Sequence, residues 1–85
     1  MTEKTTKRSS EEIQEWLVSF VAREIGSSPG NVPVDEQLVN LGLSSRNAIL
    51  MIGKLGEFAG KPTDPGLVWD YPTIRQLAEY LAKEN

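Results

Sequence analysis

The first strong signal along the chain is a helical stripe. Ile13, Trp16, Leu17, Phe20 and Val21 recur at spacings of three and four, with Ile25 one turn later and mostly polar residues between them. Ser9-x-x-Glu12 stands just ahead of it as a capping box, in which each side chain satisfies a backbone N–H that the other's position leaves free. Gly26 is a natural stop. The pattern predicts a first helix over residues 10–25. Residues 1–8 carry no apolar periodicity and are predicted to be a disordered tail, which leaves residues 9–85 as one folded domain.

The periodicity lapses from Ser27 to Leu43, where Pro29, Gly30 and Pro33 oppose both helix and central strand. Leu38, Leu41 and Leu43 are too dense for a free linker, so this stretch reads as a long loop anchored on the core, with a short helical turn near 35–40. A second stripe follows in Ala48, Met51, Ile52, Leu55 and Ala59, with Phe58 at its edge. Arg46, Leu50, Gly53 and Glu57 fall on the opposite face, flanked by Asn47 and Lys54, and Leu50 is the odd apolar residue there. Ser44 is the better N-cap and Ser45 the first helical residue of a helix that runs to Ala59 and stops at Gly60. Gly53 and Gly56 each weaken that helix by about 1 kcal/mol relative to alanine, so packing must hold it.

Lys61-Pro62-Thr63 reads as a turn, and Asp64-Pro65 as the cap and first position of a short helix reaching Asp70. Tyr71-Pro72 breaks that helix, and Thr73-x-x-Gln76 forms a second capping box. Ile74, Leu77, Ala78 and Leu81 then form the stripe of a last helix over about 74–84. The fold class is therefore all-α: a four-helix bundle with three main helices, a short third one and a long first loop. Trp16, Phe20 and Phe58 are predicted core residues, and Trp69 and Tyr71 are read chiefly as packing residues, with contact to a group bound at the site as the alternative.

Composition narrows the chemistry. The 85 residues suffice for one modest core. The chain has no cysteine, which excludes disulfides and thiolate sites, and no histidine, which removes the commonest general base and metal ligand. Glu11, Glu12 and Glu15 form a solvated face, and Asp35-Glu36 is a loop pair without further metal ligands. A net charge of −3, with Lys4, Lys7 and Arg8 gathered in the tail, argues against nucleic acid as a partner. No apolar run approaches a membrane span and the polar start is not a signal peptide, so the expected compartment is the cytoplasm.

The strongest candidate for chemistry is Leu41-Gly42-Leu43-Ser44-Ser45-Arg46-Asn47-Ala48-Ile49. Taken alone, its serine pair reads as a helix cap. The segment resembles the attachment motif of acyl carrier proteins, whose usual form is Gly-x-Asp-Ser-Leu at the start of the second helix. Downstream, Leu67-Val68-Trp69-Asp70-Tyr71-Pro72-Thr73-Ile74 is similar to the Leu-Val-Phe-Asp-Tyr-Pro-Thr segment of polyketide-synthase carrier domains, at the spacing that family uses. The resemblance implies an acyl-carrier-type bundle without catalytic residues of its own. It also implies a covalent 4′-phosphopantetheine, taken from coenzyme A and borne on Ser45 with Leu43 and Ser44 flanking it.

The implied partners are a phosphopantetheinyl transferase, an acyl-loading enzyme (an acyl-AMP ligase or an acyltransferase) and condensing or modifying synthase enzymes. The carrier itself is expected to be a monomer, and its initial Met and short polar tail read as those of a free-standing protein. The pattern departs from the family at three positions: Ser44 replaces aspartate, Arg46 replaces leucine, and Leu50 stands where many members have glutamate. Docking is therefore expected to use Arg46, Ile49, Leu50 and Met51, and to depend weakly on salt. Two alternatives stay open: a peptidyl carrier of nonribosomal synthesis, and an unmodified helical adaptor that uses no cofactor.

Overall fold

The computed structural model describes residues 9–60 and 62–83, so the predicted tail over residues 1–8, Lys61 and the last two residues lie outside the described chain. Helix α1 spans Ser10–Ile25 and opens as predicted. The Ser9 hydroxyl accepts the Glu12 N–H at 3.1 Å, and the Glu12 carboxylate accepts the Ser9 N–H at 3.0 Å. Gly26 ends it at φ 73°, a left-handed conformation costly for residues with a Cβ, and its N–H returns to the Ala22 carbonyl. Helix α2 covers Ser45–Ala59 and α4 covers Ile74–Lys83. Helix α3 is a single turn, Leu67–Asp70.

The apolar stripes meet in one core. Ile13, Leu17 and Val21 of α1, Met51, Ile52 and Leu55 of α2, and Ile74 and Leu77 of α4 are fully buried. Helix α1 packs along both α4 and α2, and α3 rests on α2. Removing such side chains from water is what holds the glycine-weakened α2 in helical form. Trp16 stacks between Phe20 and Phe58, each ring centroid 5.5 Å away, at the border of this core.

Two local readings need correction. Helix α3 begins at Leu67 rather than Pro65, because Asp64 spends its side chain on an earlier turn: its carboxylate accepts the Gly66 N–H at 2.8 Å, and its carbonyl accepts from Leu67. The first loop also contains a 3₁₀ turn at Pro29–Asn31, where helix was not expected. Proline is harmless there because the first position of a helical turn needs no N–H. The predicted turn near 35–40 is a 3₁₀ segment, Leu38–Leu41, which buries Leu38.

The loop is tied to the start of α4. Gln37 pairs with Thr73 in an isolated antiparallel bridge, Leu38 N–H donates to the Pro72 carbonyl at 2.8 Å, and Arg75 N–H donates to the Val34 carbonyl at 3.1 Å. Asp35 and Arg75 add an ion pair at 2.6 Å. Tyr71 packs as predicted, its ring 4.4 Å from that of Tyr80. These ties bring the loop across the bundle and deliver it to the first turn of α2.

Candidate functional site

The chain enters α2 through Gly42, whose φ of 91° is strained for any residue with a side chain. Leu43 is buried and pins this turn to the core. Ser44 is extended and caps the helix: its hydroxyl accepts the Asn47 N–H at 3.1 Å, and its carbonyl accepts the Ala48 N–H at 2.9 Å. Ser45 is thereby the first helical residue, and it is exposed.

The electrostatics around Ser45 favour an anion on its oxygen. The N–H groups of the first two helical residues have no intrahelical carbonyl to bond, and the helix dipole puts its positive end there. The first turn holds no acidic residue, and Arg46 is exposed beside it. A phosphodiester on the Ser45 Oγ would therefore sit among donors rather than against a carboxylate. The same turn offers nothing to remove the hydroxyl proton, and the chain has no histidine. The site is therefore an exposed hydroxyl beside free backbone donors, with no base of its own in the first turn.

The residues predicted to meet partners divide. Arg46 is exposed, as are Ile49 (45%) and Leu50 (51%), one turn beyond Ser45 and Arg46 respectively. Met51 is fully buried and cannot serve a partner in this conformation. The reason is helical phase: Met51 lies on the stripe with Ala48 and Leu55 that faces α1. Asn47 reaches sideways, its amide donating to the Glu24 carboxylate of α1 at 2.8 Å.

Of two further residues near Ser45, Val39 escaped the sequence reading and Trp69 was read there chiefly as packing. Val39 and Trp69 are exposed, at 61% and 65%. With Leu43, Ala48 and Val68 they join Ser45 around a shallow cleft of about 30 Å³. The expectation that Trp69 packs is overturned. A helix of one turn can bury only one side, and Leu67 and Val68 occupy it. The alternation around Val39 carried a usable signal: Leu38 and Leu41 share the inward side of a 3₁₀ turn, which puts Val39 outside.

At the other end of the loop the chemistry is structural. Hydrogen bonds from Arg75, reinforced by its charge, hold the Asp35 carboxyl below its ordinary range and raise Arg75 in turn. Both side chains are largely solvated, so the pair tethers the loop without making a reactive group.

Comparison with known proteins bears on this arrangement. Residues 15–81 match the family described as phosphopantetheine attachment site. The chain is 39% identical over 71 residues to a phenolphthiocerol/phthiocerol polyketide synthase of Mycobacterium tuberculosis, a match that covers 84% of this chain and 4% of that protein. It thus spans a small part of the synthase. Among solved structures, an acyl carrier protein from Anabaena sp. PCC 7120 with a variant phosphopantetheinylation-site sequence is 32% identical, covers 99% of this chain and 96% of that one, and superposes with a TM-score of 0.84. A free-standing peptidyl carrier protein from Acinetobacter baumannii is 33% identical, with coverages of 89% and 95% and a TM-score of 0.81.

Proposed function

The chain belongs to the acyl carrier protein family, whose members bear a covalent 4′-phosphopantetheine, and on that premise we propose that Ser45 is the attachment residue and that the protein tethers acyl intermediates for polyketide or fatty-acyl-derived biosynthesis. The observation that carries the assignment is the placement of Ser45: an exposed hydroxyl on the first residue of α2, with Ser44 and not Ser45 spent on the cap. Leu43 and Ser44 hold it there, one by burial and the other by capping.

In this reading the transferase takes the hydroxyl proton. The Ser45 Oγ then bonds to the phosphorus bearing pantetheine in coenzyme A, and adenosine 3′,5′-bisphosphate leaves. The free N–H groups of the first turn and Arg46 stabilise the resulting anion. The arm, once attached, supplies a terminal thiol that holds acyl groups as thioesters. The protein supplies position, because tethering raises the concentration of the cargo at each partner's active site.

The partners on this reading are the transferase, an acyl-AMP ligase or acyltransferase that loads the thiol, and condensing or modifying enzymes, which approach along Arg46, Ile49 and Leu50. The carrier acts as a monomeric domain over residues 9–85, in the cytoplasm; among the described residues no helix is long and apolar enough to cross a membrane. The similarity to a peptidyl carrier supports a second reading, an aminoacyl cargo. The polyketide synthase relative and the polyketide-type Leu-Val-x-Asp-Tyr-Pro-Thr segment favour the acyl one.

Incubation with coenzyme A and a broad-specificity transferase tests the assignment. Intact mass should rise by one phosphopantetheine, and Ser45→Ala should abolish the gain while melting like the wild type. A gain that survives Ser45→Ala would move the attachment elsewhere. An unmodified wild type would favour the adaptor reading.

A further inference from the structure

Trp69 is the largest exposed apolar side chain near Ser45, and it contributes little to the fold with 65% of its surface in water. Val39 shares the cleft with it at 61% exposure, and Ser45 itself lines that cleft. The floor is closed: Leu43, Ala48 and Val68 are buried, and Met51, Ile52 and Leu55 of the core have no exposed surface. The space of about 30 Å³ is a small fraction of the roughly 300–1,000 Å³ of pockets that enclose ligands.

Building on the assignment of Ser45, we propose that Val39 and Trp69 form an open cradle for the root of the phosphopantetheine arm, which lies over the surface and leaves its acyl cargo outside the bundle. The chemistry of the arm fits this surface. Its branched dimethyl carbon follows the phosphate after a single methylene, so the most apolar part of the arm is also the part nearest the anchor. An apolar group tethered beside two exposed apolar walls gains contact at little further entropic cost, because the tether has already removed most of the search. The amide-rich remainder of the arm has no comparable reason to leave water.

The experiment uses the intact protein, loaded by a transferase from coenzyme A labelled with ¹³C in the two methyl groups, with the mass gain on Ser45 confirmed first. NMR should show the methyl protons shifted upfield by the Trp69 ring current, with cross-relaxation to the Trp69 indole and to Val39. Trp69→Ala and Trp69→Leu should both abolish the upfield shift, and Trp69→Leu should retain the contacts with Val39. Because Trp69 is exposed, both variants should melt close to the wild type. With an octanoyl thioester on the arm, the terminal methyl should show no contact with Met51 or Leu55.

A missing mass gain would overturn the attachment assignment and this proposal with it. Normal loading with methyl signals indifferent to Trp69→Ala would overturn the cradle alone. An indole signal that moves only when the transferase is added would assign the surface to an enzyme contact instead. Cargo contacts with Met51 or Leu55 would refute the claim that the cargo stays outside.

Discussion

Helices α2 and α4 start in the same chemical way and finish the job differently. Each begins with a hydroxyl residue whose side chain accepts the N–H three positions on, Ser44 from Asn47 and Thr73 from Gln76. At α4 the box is closed, because the Gln76 side chain accepts the Thr73 N–H in return at 3.2 Å. The Asp35 ion pair, the Gln37 bridge and the Val34 carbonyl add further ties there. At α2 the third residue is Asn47, and its amide turns to Glu24 instead. The junction that holds the loop is closed with polar bonds, while the junction that presents Ser45 keeps its polar end open. Donors left unsatisfied at a helix start are what an anion attached at Ser45 would need.

The same isoleucine-to-alanine change at each helix should separate the two regions most widely. Ile74, in the first turn of α4, is fully buried, whereas Ile49 of α2 is 45% exposed. Ile74→Ala should cost about 2–5 kcal/mol in denaturant unfolding, and Ile49→Ala should stay within about 0.5 kcal/mol. Equal costs would mean that the α2 face is packed after all.

Removing the caps tests the contrast more finely. Ser44→Ala should cost about 1 kcal/mol and Thr73→Ala about 1–2 kcal/mol, since the latter also strands Gln76. Ser44→Ala should still gain phosphopantetheine on Ser45. Failure to load in a folded Ser44→Ala protein would give the cap a direct part in recognition by the transferase.

Acid probes the closed junction alone. Arg75 lowers the Asp35 pKa in the folded state, so the pair's contribution is complete above the unfolded carboxyl value of about 3.9 and is lost as pH falls through the lower folded value. Asp35→Asn should therefore be slightly less stable than the wild type near neutrality, and the difference should vanish in strong acid. A difference that persists there would assign the effect to something other than the ion pair.

The smallest effect expected is that of salt on the open junction. Helix α2 carries Arg46 and Lys54 against Glu57, with no acid in its first turn. The apparent affinity of the transferase for the apo protein should then change little between low and physiological ionic strength. A steep loss would show that ionic docking dominates over Ile49 and Leu50.

The helices and the presented serine were legible in the sequence because the signals are local. A stripe such as Ile13, Leu17 and Val21 needs only its own spacing to declare a buried face, and Ser9-x-x-Glu12 and Thr73-x-x-Gln76 need only four residues to declare a start. The choice of Ser45 over Ser44 as the free hydroxyl followed from the same local logic. What required the tertiary structure involves groups distant along the chain. Asp35 and Arg75 are forty positions apart, and nothing in either neighbourhood names the other. For Trp69 the sequence left packing and contact at the site both open and favoured packing, and only the placement of α3 against α2 decided that Leu67 and Val68 would be covered while the indole stood beside Ser45. Backbone propensity and apolar period are properties of short segments, whereas exposure of one side chain depends on which surfaces the rest of the chain leaves uncovered.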